Sequence, residues 1–122
     1  MEIKGKYKYI GDFKNDLPNG KGCLEDYENQ YQYNGDIVDG VKEGKGTLEF
    51  IDGTKYEGDF KDDLYDGKGI LKFNDGKIYE GELKEGKIKG IGKFKWEDGR
   101  VYEGEYNNFM KNGIGKWFLI KQ

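Results

Sequence analysis

The chain has 122 residues, of which 34% are hydrophobic and 37% charged; 21 basic and 24 acidic side chains leave a net charge of −3. With a mean hydropathy of −0.99, it has too little apolar material for a thick two-layer core, and no block of like charge marks a nucleic-acid footprint. Histidine and serine are absent, which removes imidazole metal ligation, the commonest general base and the serine nucleophile. The single cysteine, Cys23, has no internal disulfide partner, which suits a reducing compartment. No apolar run reaches the length of a signal peptide or a membrane span. The expectation is one cytoplasmic domain over residues 1–122. Low hydropathy with high charge ordinarily gives disorder, but aromatics make up 16% of the chain and 21 glycines recur at regular places. That combination points to repetitive β structure.

In chain order, residues 1–8 read as the remnant of half a repeat that caps the first edge. Tyrosines then fall at Tyr9, Tyr33, Tyr56, Tyr79 and Tyr102, spaced 24, 23, 23 and 23 residues apart. Each is followed two residues later by glycine, and eleven residues later by a Gly-x-Gly such as Gly67-Lys68-Gly69. Five copies in register make the chain a tandem array. The first copy carries the longer segment "CLEDYENQYQ" without Asp-Gly, so a bulge or wider turn is expected near Asp26 to Gln30. The later copies are joined by Asp52-Gly53, Asp75-Gly76 and Asp98-Gly99, dipeptides favoured in two-residue hairpin turns. Within a copy the connection reads as a longer loop, as in "KDDLYD".

The period inside each copy is two. Tyr56, Gly58 and Phe60 share one face and Glu57 and Asp59 the other; the second half of the copy alternates likewise, as strands do. Each copy is therefore a hairpin, and the array an elongated, twisted single-layer antiparallel meander of about ten strands, roughly 48 Å long. Glycine at strand centres leaves pits that neighbouring rings can cover, so tyrosines are expected to lie across glycine tracks. On the opposite face the first strands carry acids and the second strands lysines, giving cross-strand ion pairs of about 0.2–1 kcal/mol each. That face reads as solvated scaffold.

The stretch "YEGDFKDDLYDGKGILKFNDGK" resembles the MORN (membrane occupation and recognition nexus) repeat, and all five copies match its pattern. The resemblance implies an all-β, single-layer sheet of five MORN hairpins and a non-catalytic binding or scaffolding role. It also implies cytoskeletal or ciliary settings. Ile37 stands where other copies have Phe13, Phe60 or Tyr106, and the histidine usual before Gly-x-Gly is missing throughout.

No catalytic, cofactor or metal site is expected. Gly44-Lys45-Gly46-Thr47 lacks the contiguous Gly-Lys-Ser/Thr of a phosphate loop, and Cys23 has no histidine to activate it. The aromatic face remains. Tyr9, Phe13, Tyr33, Tyr56, Phe60, Phe73, Tyr79, Phe94, Trp96, Tyr102, Tyr106 and Trp117 line it, and form the expected groove for a helix or peptide of a protein partner. Self-packing of the same rings under sheet curvature is the competing reading, helped by Leu17, Val41, Leu64 and Met110, eight residues after Tyr9, Tyr33, Tyr56 and Tyr102. The last strand, "GIGKWFLI", is apolar on both faces, so Ile114, Phe118 and Ile120 are expected to form a self-association edge. The acidic balance and interspersed lysines argue against direct attachment to anionic lipid.

Overall fold

A computed structural model describes the backbone of residues 2–3, 6–107 and 110–119 and the side chains of residues 6–106. Among the described residues, eleven strands form one antiparallel sheet in strict chain order: β1 (Glu2–Ile3), β2 (Tyr7–Lys14), β3 (Leu17–Asp26), β4 (Tyr31–Val38), β5 (Val41–Phe50), β6 (Lys55–Lys61), β7 (Leu64–Lys72), β8 (Ile78–Lys84), β9 (Lys87–Lys95), β10 (Arg100–Asn107) and β11 (Met110–Leu119). The meander and single layer are as the periodicity dictates. The strand beyond the expected ten is β1, which pairs with β2 through Glu2–Lys8 and Ile3–Tyr7.

The turns fall the other way round from the dipeptide expectation. The two-residue turns lie inside each of the first four copies, at Asn15-Asp16, Asp39-Gly40, Asp62-Asp63 and Glu85-Gly86, where both residues have positive φ, as a type I′ hairpin requires. The Asp-Gly links between copies are wider. At Asp52-Gly53 only the glycine is left-handed (φ 97°). The Gly53 amide donates to the Phe50 carbonyl at 3.0 Å and the Phe50 amide to the Thr54 carbonyl at 2.8 Å, a three-residue loop closed by a left-handed glycine. Asp52 Oδ1 accepts from the Thr54 amide. The first copy has the expected wider turn: Asp26 Oδ1 accepts from the Glu28 and Asn29 amides, and Gln30 is left-handed.

Each hairpin contains a wide bulge. In the third copy Gly58 pairs with Gly69 and Phe60 with Tyr65, so Asp59 alone faces Asp66, Gly67 and Lys68. The same shift follows Gly11, Gly35 and Gly81. Three groups hold it. Gly67 takes φ 115°, a region closed to most residues. The Tyr56 hydroxyl donates to the Asp59 carbonyl at 2.8 Å, and Asp59 Oδ2 accepts from the Lys68 amide at 3.1 Å. The backbone groups displaced from the ladder are thus satisfied from both faces. Tyr9, Tyr33 and Tyr79 repeat the hydroxyl bond, to Asp12, Asp36 and Glu82.

The core lies on the tyrosine face. A Cβ on Gly69 would run into the Tyr56 ring, and Gly22, Gly46 and Gly92 stand likewise under Tyr9, Tyr33 and Tyr79, so the rings do lie across glycine tracks. The two glycines of Gly-x-Gly have separate tasks: the first bends the bulge and the second seats the ring. Because of the bulge, the position that turns inward is nine residues after the tyrosine instead of eight. Ile88 is fully buried and Tyr65 stacks on Tyr56 at 4.0 Å, whereas Leu17 and Leu64 are exposed. Lys42 occupies that inward position in the second copy. It is buried, and its ammonium donates to the Tyr31 hydroxyl at 2.9 Å with Asp63 at 3.6 Å.

Candidate functional site

The two faces of the sheet have opposite characters. Of the rings expected to line an aromatic groove, Tyr9, Tyr33, Tyr56, Phe60, Tyr79, Phe94, Tyr102 and Tyr106 are buried core residues. Edge-to-face contacts lock them from copy to copy: Phe60 sits 5.1 Å from both Tyr33 and Tyr56, and Tyr106 sits 5.6 Å from both Tyr79 and Tyr102. Burial pushes the Tyr79 hydroxyl up to about 12 and those of Tyr33 and Tyr56 higher still. A partner reaches none of these eight rings without opening the face, so the aromatic face is closed by self-packing. Phe13 is exposed, and Phe73 and Trp96 are half-buried at the margin. Lys77 lies over the Phe73 ring and Arg100 over Trp96. Trp117, Ile114 and Phe118 fall on β11, whose side chains lie outside the described residues, as does Ile120.

The concave surface is on the other face. Glycines pair strand to strand from Gly11 through Gly22, Gly35, Gly46, Gly58, Gly69, Gly81 and Gly92 to Gly104. Their missing side chains would all point toward the tyrosines. On the far side the track is bare backbone, and the residues flanking each glycine stand up on either side of it. The result is an open groove of about 870 Å³ running from β4 to β10. One wall is the ladder Thr47, Glu57, Ile70, Glu80, Lys93, Glu103; the other carries Lys45, Lys68, Glu82 and Ile91.

Charge on the walls is ordered as the sequence pattern implies, but unevenly. Lys21 pairs with Asp36 at 2.7 Å, Lys45 with Asp59, and Lys93 with Glu103 at 3.0 Å. The ammonium bonded to each of Asp36 and Asp59 holds its carboxyl below the usual carboxylate range, helped by the backbone amide donated from across the bulge. Toward β10 the balance changes. Among the described residues, Glu57, Glu80, Glu82 and Glu105 have no ion-pair partner, and Ile91 stands 63% exposed beside them. Sequence reasoning treated this face as scaffold and so missed the groove. The signal was the run of glycines in phase across all copies, which removes every side chain from one line of the sheet.

The family model described as MORN repeat matches residues 9–28, 33–55, 56–78 and 79–99. It thus covers four of the five copies read from the tyrosine spacing; the fifth, from Tyr102, continues the sheet as β10 and β11. No curated protein matches the chain.

Proposed function

The chain belongs to the MORN-repeat family, and on that premise we propose that it is a non-enzymatic protein-binding module whose partner lies in the glycine-floored groove. The cytoskeletal setting that the resemblance implies belongs to the same proposal. The observation that carries it is the exposure of Ile91, at 63%, in the wall of a concave groove. An apolar side chain presented there beside bare backbone offers contact area and hydrogen-bonding groups together. The tyrosine face supports the same choice, since its rings already cover one another.

A photo-crosslinking residue placed at Ile91 in the full chain tests this, with the same residue at the exposed turn position Ile51 and at Phe73 on the opposite face as controls. The expected result is a crosslink to one recurring partner segment, identified by mass spectrometry, from position 91 alone. Equal capture from all three positions, or capture only from position 73, would overturn the groove assignment.

A further inference from the structure

The groove is not uniform along its length, and its variation follows a repeat. In the third, fourth and fifth copies both residues flanking the floor glycine are acidic: Glu57 and Asp59 beside Gly58, Glu80 and Glu82 beside Gly81, Glu103 and Glu105 beside Gly104. In the first two copies one flank is neutral, Ile10 beside Gly11 and Asn34 beside Gly35. Strands β6, β8 and β10 therefore each place a carboxylate on one wall of the groove, Glu57, Glu80 and Glu103, and β8 adds Glu82 on the other. Positions two apart in a strand are separated by about 6.6 Å, and alternate strands by roughly 9.6 Å. Between these rungs, β7 puts Ile70 and Lys68, and β9 puts Lys93 and Ile91, on opposite walls. Two of the six carboxylates are taken, Asp59 by Lys45 and Glu103 by Lys93.

We propose that this half of the groove binds an extended, basic segment of the partner protein, with a lysine or arginine at every third position and aliphatic residues between. The inference rests on the groove being the binding surface. The period comes from geometry. A polyproline-type segment has three residues per turn and rises about 3.1 Å per residue, so one side of it repeats every 9.3 Å or so. That nearly equals the spacing of the carboxylate rungs. An α-helix, about 10–12 Å across with its side chains, is too broad for a floor one glycine wide. A cation seated at the β8 rung relieves the repulsion between Glu80 and Glu82 across the floor, one a turn away meets Glu57, and the aliphatic residues between cations meet Ile70 and Ile91. Charge supplies encounter and register, and the isoleucines supply apolar burial.

The probe is a labelled synthetic peptide of repeated Lys-Pro-Leu triplets, titrated into the full chain. Binding is followed by anisotropy and by the amide signals of Gly58, Gly81 and Gly104, with Gly53 at an outer turn as reference. Two further peptides share its length, one with the lysines clustered at one end and one with glutamate for lysine. The triplet peptide is expected to shift the three floor glycines and to bind more tightly than the clustered peptide, with no shifts from the glutamate peptide. Glu57→Gln/Glu80→Gln should weaken it about fivefold to tenfold; Glu28→Gln/Glu97→Gln, an equal charge change at the turns, should leave it unchanged.

Equal affinity for triplet and clustered peptides would overturn the period. Equal weakening by the two double variants would reduce the effect to net charge, and absence of floor-glycine shifts would overturn the inference outright. If crosslinking from position 91 still captured a partner segment in that last case, the groove would stand and only the basic, extended character of its occupant would fall.

Discussion

Phe13 and Phe60 occupy the same place in their copies, four residues after the tyrosine, and make the same contact with it. Each ring lies 5.1 Å from its own tyrosine at an interplanar angle of 89°. Yet Phe13 is 47% exposed and Phe60 3%. The difference is the tyrosine of the preceding copy: Tyr33 closes over Phe60 from the other side, while among the described residues Phe13 has only Tyr9. A single copy therefore does not bury its own apolar side chains. The core is made between copies, and stability accrues at their interfaces, as in solenoids.

The largest effect that sharpens this comparison is truncation of the two rings. Phe60→Ala removes a ring shared by two interfaces and should cost about 3–5 kcal/mol, whereas Phe13→Ala, already half in water, should cost roughly 1 kcal/mol. Chemical denaturation read as the midpoint at unchanged slope measures both; equal losses would contradict a core built between copies.

A smaller contrast separates space from backbone shape. Gly69→Ala drives a Cβ into the Tyr56 ring and should cost about 1–3 kcal/mol by overpacking. Gly53→Ala meets nothing within 4 Å and bears only its left-handed φ, at roughly 1 kcal/mol. Thermal melts of the two variants check the order, and a reversed order would mean that the ring yields readily to the methyl group.

The smallest effect is electrostatic. Asp36 and Asp59 ionise at lower pH in the folded chain than in the unfolded one. Their contribution is therefore complete above the unfolded carboxylate range and disappears as pH falls through the folded values. Lys45→Met should lower stability at neutral pH and reduce the part of it that acidification removes, with Lys72→Met, whose ammonium forms no ion pair among the described residues, as control. An unchanged acid limb in Lys45→Met would show that the amide of Lys68, which also bonds Asp59, suffices alone.

Much of this was legible in the residues. The tyrosine spacing set the copies, alternation set the strands, and Tyr-x-Gly in phase with Gly-x-Gly predicted rings over glycines. The wide bulge was not legible. A strict period of two carries no sign that Asp59 alone faces three residues of β7, and that shift moved the inward position from Leu64 to Tyr65. The turns were misplaced for a related reason: Asp-Gly suits a left-handed residue in either loop type, and only the register distinguishes them. The burial of the aromatic face was not legible, because that face looks open when each strand is considered singly. Packing of Phe60 between Tyr33 and Tyr56 is a property of neighbours, which no single copy displays.

The central claim is that the two faces are reversed in availability, with the tyrosines closed and the glycine-floored groove open. Carbene footprinting of the native chain, read residue by residue by mass spectrometry, tests it most directly. The account predicts heavy labelling at Ile91, lighter labelling at Ile70, and protection of Tyr33, Tyr56 and Tyr79 until the chain unfolds. Labelling of those tyrosines in the native chain, with Ile70 and Ile91 protected, would contradict it.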